Sequence, residues 1–258
     1  MRILITNDDG IHAPGLKSLE KIARAISDEV WIVAPETEQS GSSHSLTLAD
    51  PLRLRKVDEA HFAVKGTPSD CVLMAVKKVM PEPPDIILSG VNRGQNIADD
   101  VTYSGTIAAA MEGTALGIPS IALSQAFGLG ESRAVKWETA ERHGPSVVER
   151  VIGRDWGPGI LLNVNFPDVA PDEVAGVEVT DQGKRDQGLM VVDERVDARG
   201  NSYYWLGFER RRSNPPRGSD LRAVYDGYIS VTPLHMNLTH TDSKDALARM
   251  LRDGGNGV

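Results

Sequence analysis

The chain has 258 residues, enough for one large α/β domain or two smaller ones with a substantial buried core. It is 40% hydrophobic and 25% charged, as globular enzymes are, and its net charge of -8 and pI near 5.3 argue against a nucleic-acid backbone binder, which carries a basic face. The single cysteine, Cys71, excludes an intrachain disulfide, and no apolar run approaches the roughly 18 residues of a spanning helix.

The start has no basic segment followed by an apolar stretch and a small-residue cleavage site, so a soluble, cytoplasmic protein with no membrane partner is expected. Arg2–Thr6 reads as a buried strand, and Leu16, Leu19, Ile22, Ala23 and Ile26 then follow helical spacing after Pro14 and Gly15. Val30–Ala34 is a second apolar run, stopped by Pro35, and the polar, serine-rich stretch 36–45 is a loop. Leu52–Val57 alternates apolar with basic residues and suits a half-exposed strand. Thr67-Pro68-Ser69-Asp70 looks like a cap for a helix over Cys71–Val79.

Asp85–Ser89 is the next buried strand, with a long polar loop from Gly90 to Thr102. Ser104-Gly105-Thr106 opens a helix to about Leu116, Ile118–Ser124 is a strand, Val135–Arg154 a surface helix, and Leu161–Phe166 closes the α/β part. Alternating strands and helices predict a mostly parallel sheet covered by helices. After Pro171 the pattern turns β-rich: Val174–Thr180, Leu189–Val196, Ser202–Phe208 and Tyr225–Thr232 read as strands, before a helix from Thr241 to Leu251 and a glycine tail at Gly254-Gly255. The expected division is residues 1–170 as a catalytic core and 171–258 as an extension that carries a hairpin, returns to the core and ends in a helix.

Four segments carry possible chemistry. Asn7-Asp8-Asp9-Gly10 sets two acids at the carboxyl end of the first buried strand, where open α/β sheets put ligands. Adjacent carboxylates there repel each other unless a cation or protons offset them. Both can meet one ion only if the chain has turned, which Gly10 permits; a plain surface turn has the same composition. Gln39–Ser45 offers hydroxyls and backbone N–H groups, with His44 as an acid–base candidate, or it is an ordinary serine-rich loop. Ser89–Asn96 offers Asn92 as a neutral oxygen ligand and Arg93 as a phosphate partner on a loop of unusual length. Tyr103-Ser104-Gly105-Thr106 puts hydroxyls at a helix start, either as a phosphate site or as a simple cap.

In a doubly wound sheet all four segments can converge on one rim. Asp8, Asp9, Ser40 and Asn92 are oxygen donors only, which suits Mg²⁺ or Mn²⁺ and not zinc. With no Walker-type Gly-Lys-Ser/Thr, a metal beside a phosphate cradle favours phosphate ester hydrolysis over transfer from a nucleoside triphosphate.

The segments Ile3–Gly15, Ala34-Pro35 with Ser40-Gly41, Val64–Pro68, Ser89–Gly94, Tyr103–Thr106, Leu162–Pro167 and Gly227–Leu234 resemble the stationary-phase survival protein SurE family of metal-dependent nucleotidases, in order along almost the whole chain. The resemblance implies a Rossmann-like three-layer α/β sandwich whose β-rich C-terminal extension exchanges or pairs between subunits in a homodimer or homotetramer. It implies hydrolysis of nucleoside 5′-monophosphates, with 3′-nucleotides and polyphosphate as further substrates and no nucleic acid polymer as partner. One divalent cation per subunit would fall on Asp8, Asp9, Ser40 and Asn92, with Asp8 and Asp9 as the catalytic pair. Asn96, Ser104, Gly105, Thr106 and Arg93 are then expected at the phosphate. Three rival readings stand beside this one. A covalent phosphoaspartate route lacks its Asp-x-Asp-x-Thr start, a nucleotide-sensing module would bind without turnover, and a dinucleotide oxidoreductase lacks Gly-x-Gly-x-x-Gly after the first strand.

Overall fold

The computed structural model describes residues 1–128, 134–154, 156–185, 190–208 and 214–253. The elements alternate at first: β1 (Arg2–Thr6), α1 (Pro14–Ile26), β2 (Glu29–Pro35), β3 (Arg53–Lys56), β4 (His61–Lys65), α2 (Pro68–Met74), β5 (Ile86–Arg93), α3 (Gly105–Ala115), β6 (Ser120–Gln125), α4 (Trp137–Val151) and β7 (Ile160–Phe166). The rest is β8 (Gly176–Val179), β9 (Met190–Val196), β10 (Ser202–Phe208), α5 (Asp220–Tyr225), β11 (Tyr228–His235) and α6 (Thr241–Asp253).

Nine strands form one sheet in the order β3-β4-β2-β1-β5-β6-β7-β11-β8. β1 pairs in parallel with β2 on one side and β5 on the other, so the chain reverses its direction of travel across the sheet at β1. That makes the gap beyond the carboxyl ends of β1 and β5 the topological switch point, where such sheets bind ligands. Within this sheet, among the described residues, only β3 against β4 and β11 against β7 are antiparallel.

Burial explains the layers. Successive residues of β1 alternate faces, so Ile3 and Ile5 join the core under α1 and α4, while Leu4 joins the opposite core with Val33 and Cys71. Leu16, Leu19, Ile22 and Ala23 form the buried stripe of α1, worth roughly 1.5–3 kcal/mol per large side chain removed from water. α2 opens on a capping box, with the Thr67 hydroxyl accepting from the Asp70 N–H and the Asp70 carboxylate accepting from the Thr67 N–H.

Several boundaries differ from the expectation. The helix predicted over Cys71–Val79 ends at Met74 and continues as a π turn to Val79. β5 runs on through Arg93 and the predicted Gly90–Thr102 loop contains a 3₁₀ turn at Ala98–Thr102, because a register shift between Ser89 and Asn92 restores pairing with β6. β4 was not anticipated, and β3 is an entirely exposed edge, not a half-buried one. The strand expected from Tyr225 begins at Tyr228; Asp220–Tyr225 is instead a helix capped by the Ser219 hydroxyl. Leu189 and Gly254-Gly255 lie outside the described residues.

Beyond β7, β8 and β11 rejoin the main sheet, and β9 and β10 make a separate antiparallel hairpin. Among the described residues no helix is long and apolar enough to cross a membrane.

Candidate active site

A cleft of about 990 Å³ opens at the switch point. Its walls include Asp8 and Asp9 after β1, Ser40 after β2, Asn92 and Arg93 at the end of β5, Asn96 beyond it, and Ser104 before α3. Those seven residues come from four separate stretches of chain. Gly105 and Thr106 are not part of the wall surface but stand directly behind Asp8.

The turn after β1 sets the geometry. Gly10 has φ +100, a conformation L side chains rarely adopt, and the Asn7 side-chain amide donates to the Gly10 carbonyl at 3.0 Å. The Gln39 N–H donates to the Asp8 carbonyl at 2.7 Å and the Ile11 N–H to the Pro35 carbonyl at 2.8 Å, so the Ser40 loop is tied to the two acids through backbone. Asp8 is 4% exposed, and its Oδ1 accepts from the Thr106 hydroxyl at 2.6 Å. The Thr106 backbone N–H also reaches Asp8. A Cβ on Gly105 would lie 2.8 Å from the Asp8 Cβ, so only glycine lets α3 approach this closely. Asp9 Oδ2 accepts from the Arg93 N–H at 3.3 Å.

Charge is the problem this arrangement poses. Burial, reinforced by the neighbouring Asp9, pushes the Asp8 carboxyl up to about 6 against the pull of its hydrogen bonds to Thr106. Asp9 is also raised, by burial and by Glu38, against the Arg93 N–H and guanidinium. Among the described residues no lysine or arginine side chain forms an ion pair with either acid. The donor set fits a hard divalent cation: two carboxylates short of compensating charge, with neutral oxygens from Ser40 and Asn92 on the same cleft. The hydrogen bonds of the two neutral side chains use their donors. Asn92 Nδ2 donates to the Gly94 carbonyl at 2.8 Å and the Ser40 hydroxyl donates to Glu38 Oε1 at 2.9 Å, which leaves an amide oxygen and hydroxyl lone pairs unengaged by those bonds.

The other expected residues sort by their partners. The Ser104 hydroxyl caps α3 by accepting from the Ile107 N–H, and the Thr106 hydroxyl hydrogen is engaged by Asp8. Arg93 holds its guanidinium 5.0 Å from the centroid of the Phe127 ring. Asn96 donates through Nδ2 to Ser124, and its backbone N–H donates to Asn165 Oδ1 while Asn163 and Asn165 donate to its carbonyl. His44 stands away from the cleft wall and pairs with Glu112 at 3.0 Å.

Sequence reading missed Glu38, the aromatic residues Phe127 and Trp137 on the cleft wall, and the roles of Asn163 and Asn165. The amide pair had a signal: two asparagines two residues apart fall on one face of a buried strand, where each needs a partner. Glu38 and the aromatics carried none, because their place depends on tertiary folding.

Residues 3–188 match the family described as Survival protein SurE. This chain belongs to the SurE family. It is 66% identical over 248 residues to the 5′-nucleotidase SurE of Parvibaculum lavamentivorans, covering 96% of this chain and 90% of that one. It is 60% identical to the 5′-nucleotidase SurE of a Methylobacterium strain, covering 97% and 100%. The SurE crystal structure from Aquifex aeolicus superposes with a TM-score of 0.84 at 37% identity, covering 97% and 99% of the two chains. SurE membership accounts for the α/β sheet described above, since the solved SurE structure matches it over nearly its full length.

Proposed function

We propose that the protein is a divalent-metal-dependent 5′-nucleotidase, converting a nucleoside 5′-monophosphate and water to nucleoside and phosphate. The observation that carries this reading is the meeting of Asp8 and Asp9 with the start of α3 in one cleft at the switch point. The names of the SurE relatives supply the substrate class. Asp8, Asp9, Ser40 and Asn92 would hold one Mg²⁺ or Mn²⁺, which when bound neutralises phosphoryl charge and lowers the pKa of its water.

The chain's own residues do the rest. Asp8 is held in one orientation by the Thr106 hydroxyl and backbone N–H, so Thr106 acts as a positioning residue, with the α3 N-terminus supplying its dipole to the phosphate. Ser104 and Asn96 border the same space, and Arg93, resting over Phe127, is the cation placed to meet phosphate oxygens. Glu38 takes the Ser40 hydroxyl hydrogen and so turns the oxygen lone pairs away from itself. 3′-Nucleotides and short polyphosphate would use the same phosphate end of the cleft.

Residues 171–258 belong to this proposal as the assembly part, forming a homodimer or homotetramer. Support comes from apolar surface the single chain leaves uncovered: Tyr203, Tyr204 and Trp205 on the hairpin, and Leu247, Met250 and Leu251 on one stripe of α6.

The test is release of inorganic phosphate from AMP and GMP with Mg²⁺ or Mn²⁺, with and without chelator. Turnover that chelator stops supports the reading. Binding without release favours a sensor, and a trapped phosphoryl group on Asp8 favours the covalent route.

A further inference from the structure

We infer that Tyr103 is the shelf on which the base of the nucleotide stacks, and so the residue that separates nucleotides from other phosphate monoesters. This rests on the nucleotidase reading above. Two neighbouring residues of the cleft wall differ sharply in exposure: Ser104, at the start of α3 behind which Thr106 holds Asp8, is 8% exposed, and Tyr103 is 57% exposed. A phosphate held at the inner end therefore leaves its nucleoside running outward towards the level of Tyr103.

The ring is set up to receive a flat partner. Aromatic side chains normally bury much of their surface and find a partner for a polar tip. Here the Tyr103 hydroxyl has no hydrogen-bond partner among the described residues, and the ring lines the cleft mouth. Its backbone, by contrast, is fixed on both sides. The Tyr103 N–H donates to the Asp100 carbonyl at 3.0 Å, and its carbonyl accepts from the Ser43 N–H at 3.3 Å. The Ser43 hydroxyl ties the same turn again through the Thr102 carbonyl at 2.8 Å. An exposed ring on a pinned backbone loses little freedom when a ligand covers it. Stacking on a ring face also accepts any base, because every base has a π-face. The shelf accordingly gives preference for nucleotides as a class and little discrimination among them.

The experiment compares kcat/KM for AMP with that for ribose 5-phosphate, which keeps the phosphate and sugar and lacks the base. In Tyr103→Ala the AMP-to-ribose-5-phosphate ratio should fall roughly tenfold, carried by KM, as expected for loss of one base–aromatic stack. Tyr103→Phe should keep most of the ratio, and the inhibition constant of adenosine should rise in Tyr103→Ala alone. An unchanged ratio, or equal loss on both substrates, overturns the shelf. So does a change in oligomer mass by light scattering, which would mean that the ring covers a subunit face. If the wild-type protein releases no phosphate from either compound, the nucleotidase reading fails by itself; calorimetric binding of adenosine to wild type and Tyr103→Ala still decides the shelf.

Discussion

At the cleft, the lining side chains rest on a buried frame: Asp8 is fixed by Thr106, Asn96 by Asn163 and Asn165, and the Ser40 loop by backbone bonds to the Asp8 turn. The β9–β10 hairpin is built the other way. Among the described residues its strands pair with each other and with no strand of the main sheet, and apolar side chains stand out on both faces, Tyr204 and Val192 on one and Trp205 and Tyr203 on the other. An isolated two-stranded hairpin is marginal in water. A frame that fixes side chains internally suits catalysis, whereas a frame that leaves apolar area uncovered gains most of its stability from a partner.

The sharpest break of that comparison is removal of an acid. Asp9→Ala should lower phosphate release by at least about a thousandfold, while melting temperature and far-ultraviolet dichroism stay near wild type, because the loss is chemical and not structural. Chelation of wild type should match it, with recovery on adding Mn²⁺. Near-wild-type turnover of Asp9→Ala at saturating metal would remove the acid pair from the chemistry.

Gly105→Ala comes next. Its methyl would press on the Asp8 Cβ, and a displacement of that kind should cost about a hundredfold in kcat/KM. Thr106→Val removes only the hydroxyl donor to Asp8, and about a tenfold loss in kcat is expected from a lost bond to a charged group. Steady-state kinetics on the purified variants read both.

The pH response of the metal-free protein tests the buried carboxylates directly. Asp8 has its folded value raised to about 6 from an ordinary 3.8, so between those values the folded state binds a proton that the unfolded chain has released. Stability in chelator should therefore increase as pH falls from about 7 towards 4, by no more than about 3 kcal/mol from this group, and be lost as pH rises through 6. Asp9 is shifted in the same direction and adds to the slope. Urea melts at several pH values measure this, and Asp8→Asn should flatten the profile; a slope of opposite sign would contradict the burial of Asp8.

The smallest effect on the single chain belongs to the hairpin. Trp205→Lys with Tyr203→Lys should change subunit stability by only about 0.5 kcal/mol per site, since both side chains are exposed. The same pair should lower the mass of the assembly by light scattering. An unchanged mass would mean that this face is not where subunits meet.

Much of this was legible in short stretches of chain. Strand β1 announces itself by four buried apolar or small residues in a row, and α1 by its 3.6-residue stripe, because both patterns follow from backbone geometry alone. That Asp8 and Asp9 reach the cleft was readable because they directly follow a buried strand, whose carboxyl end is where such sheets open a crevice. β4 and α5 were not readable: His61–Lys65 has a strand's pattern only once β2 lies beside it, and Asp220–Tyr225 is nucleated by Ser219 together with a buried Asp220 that accepts from Ala98 and Gly183.

By itself the sequence determined the alternation of strands and helices, the acidic turn after β1 and the supply of oxygen-bearing side chains, all of which are local or compositional. Tertiary structure alone decided that the Thr106 hydroxyl serves Asp8 and that Phe127 lies under Arg93. The reason is physical: a hydrogen bond or a ring contact depends on distances across the fold, and residues such as 8 and 106 become neighbours only after β1 and α3 have packed against each other.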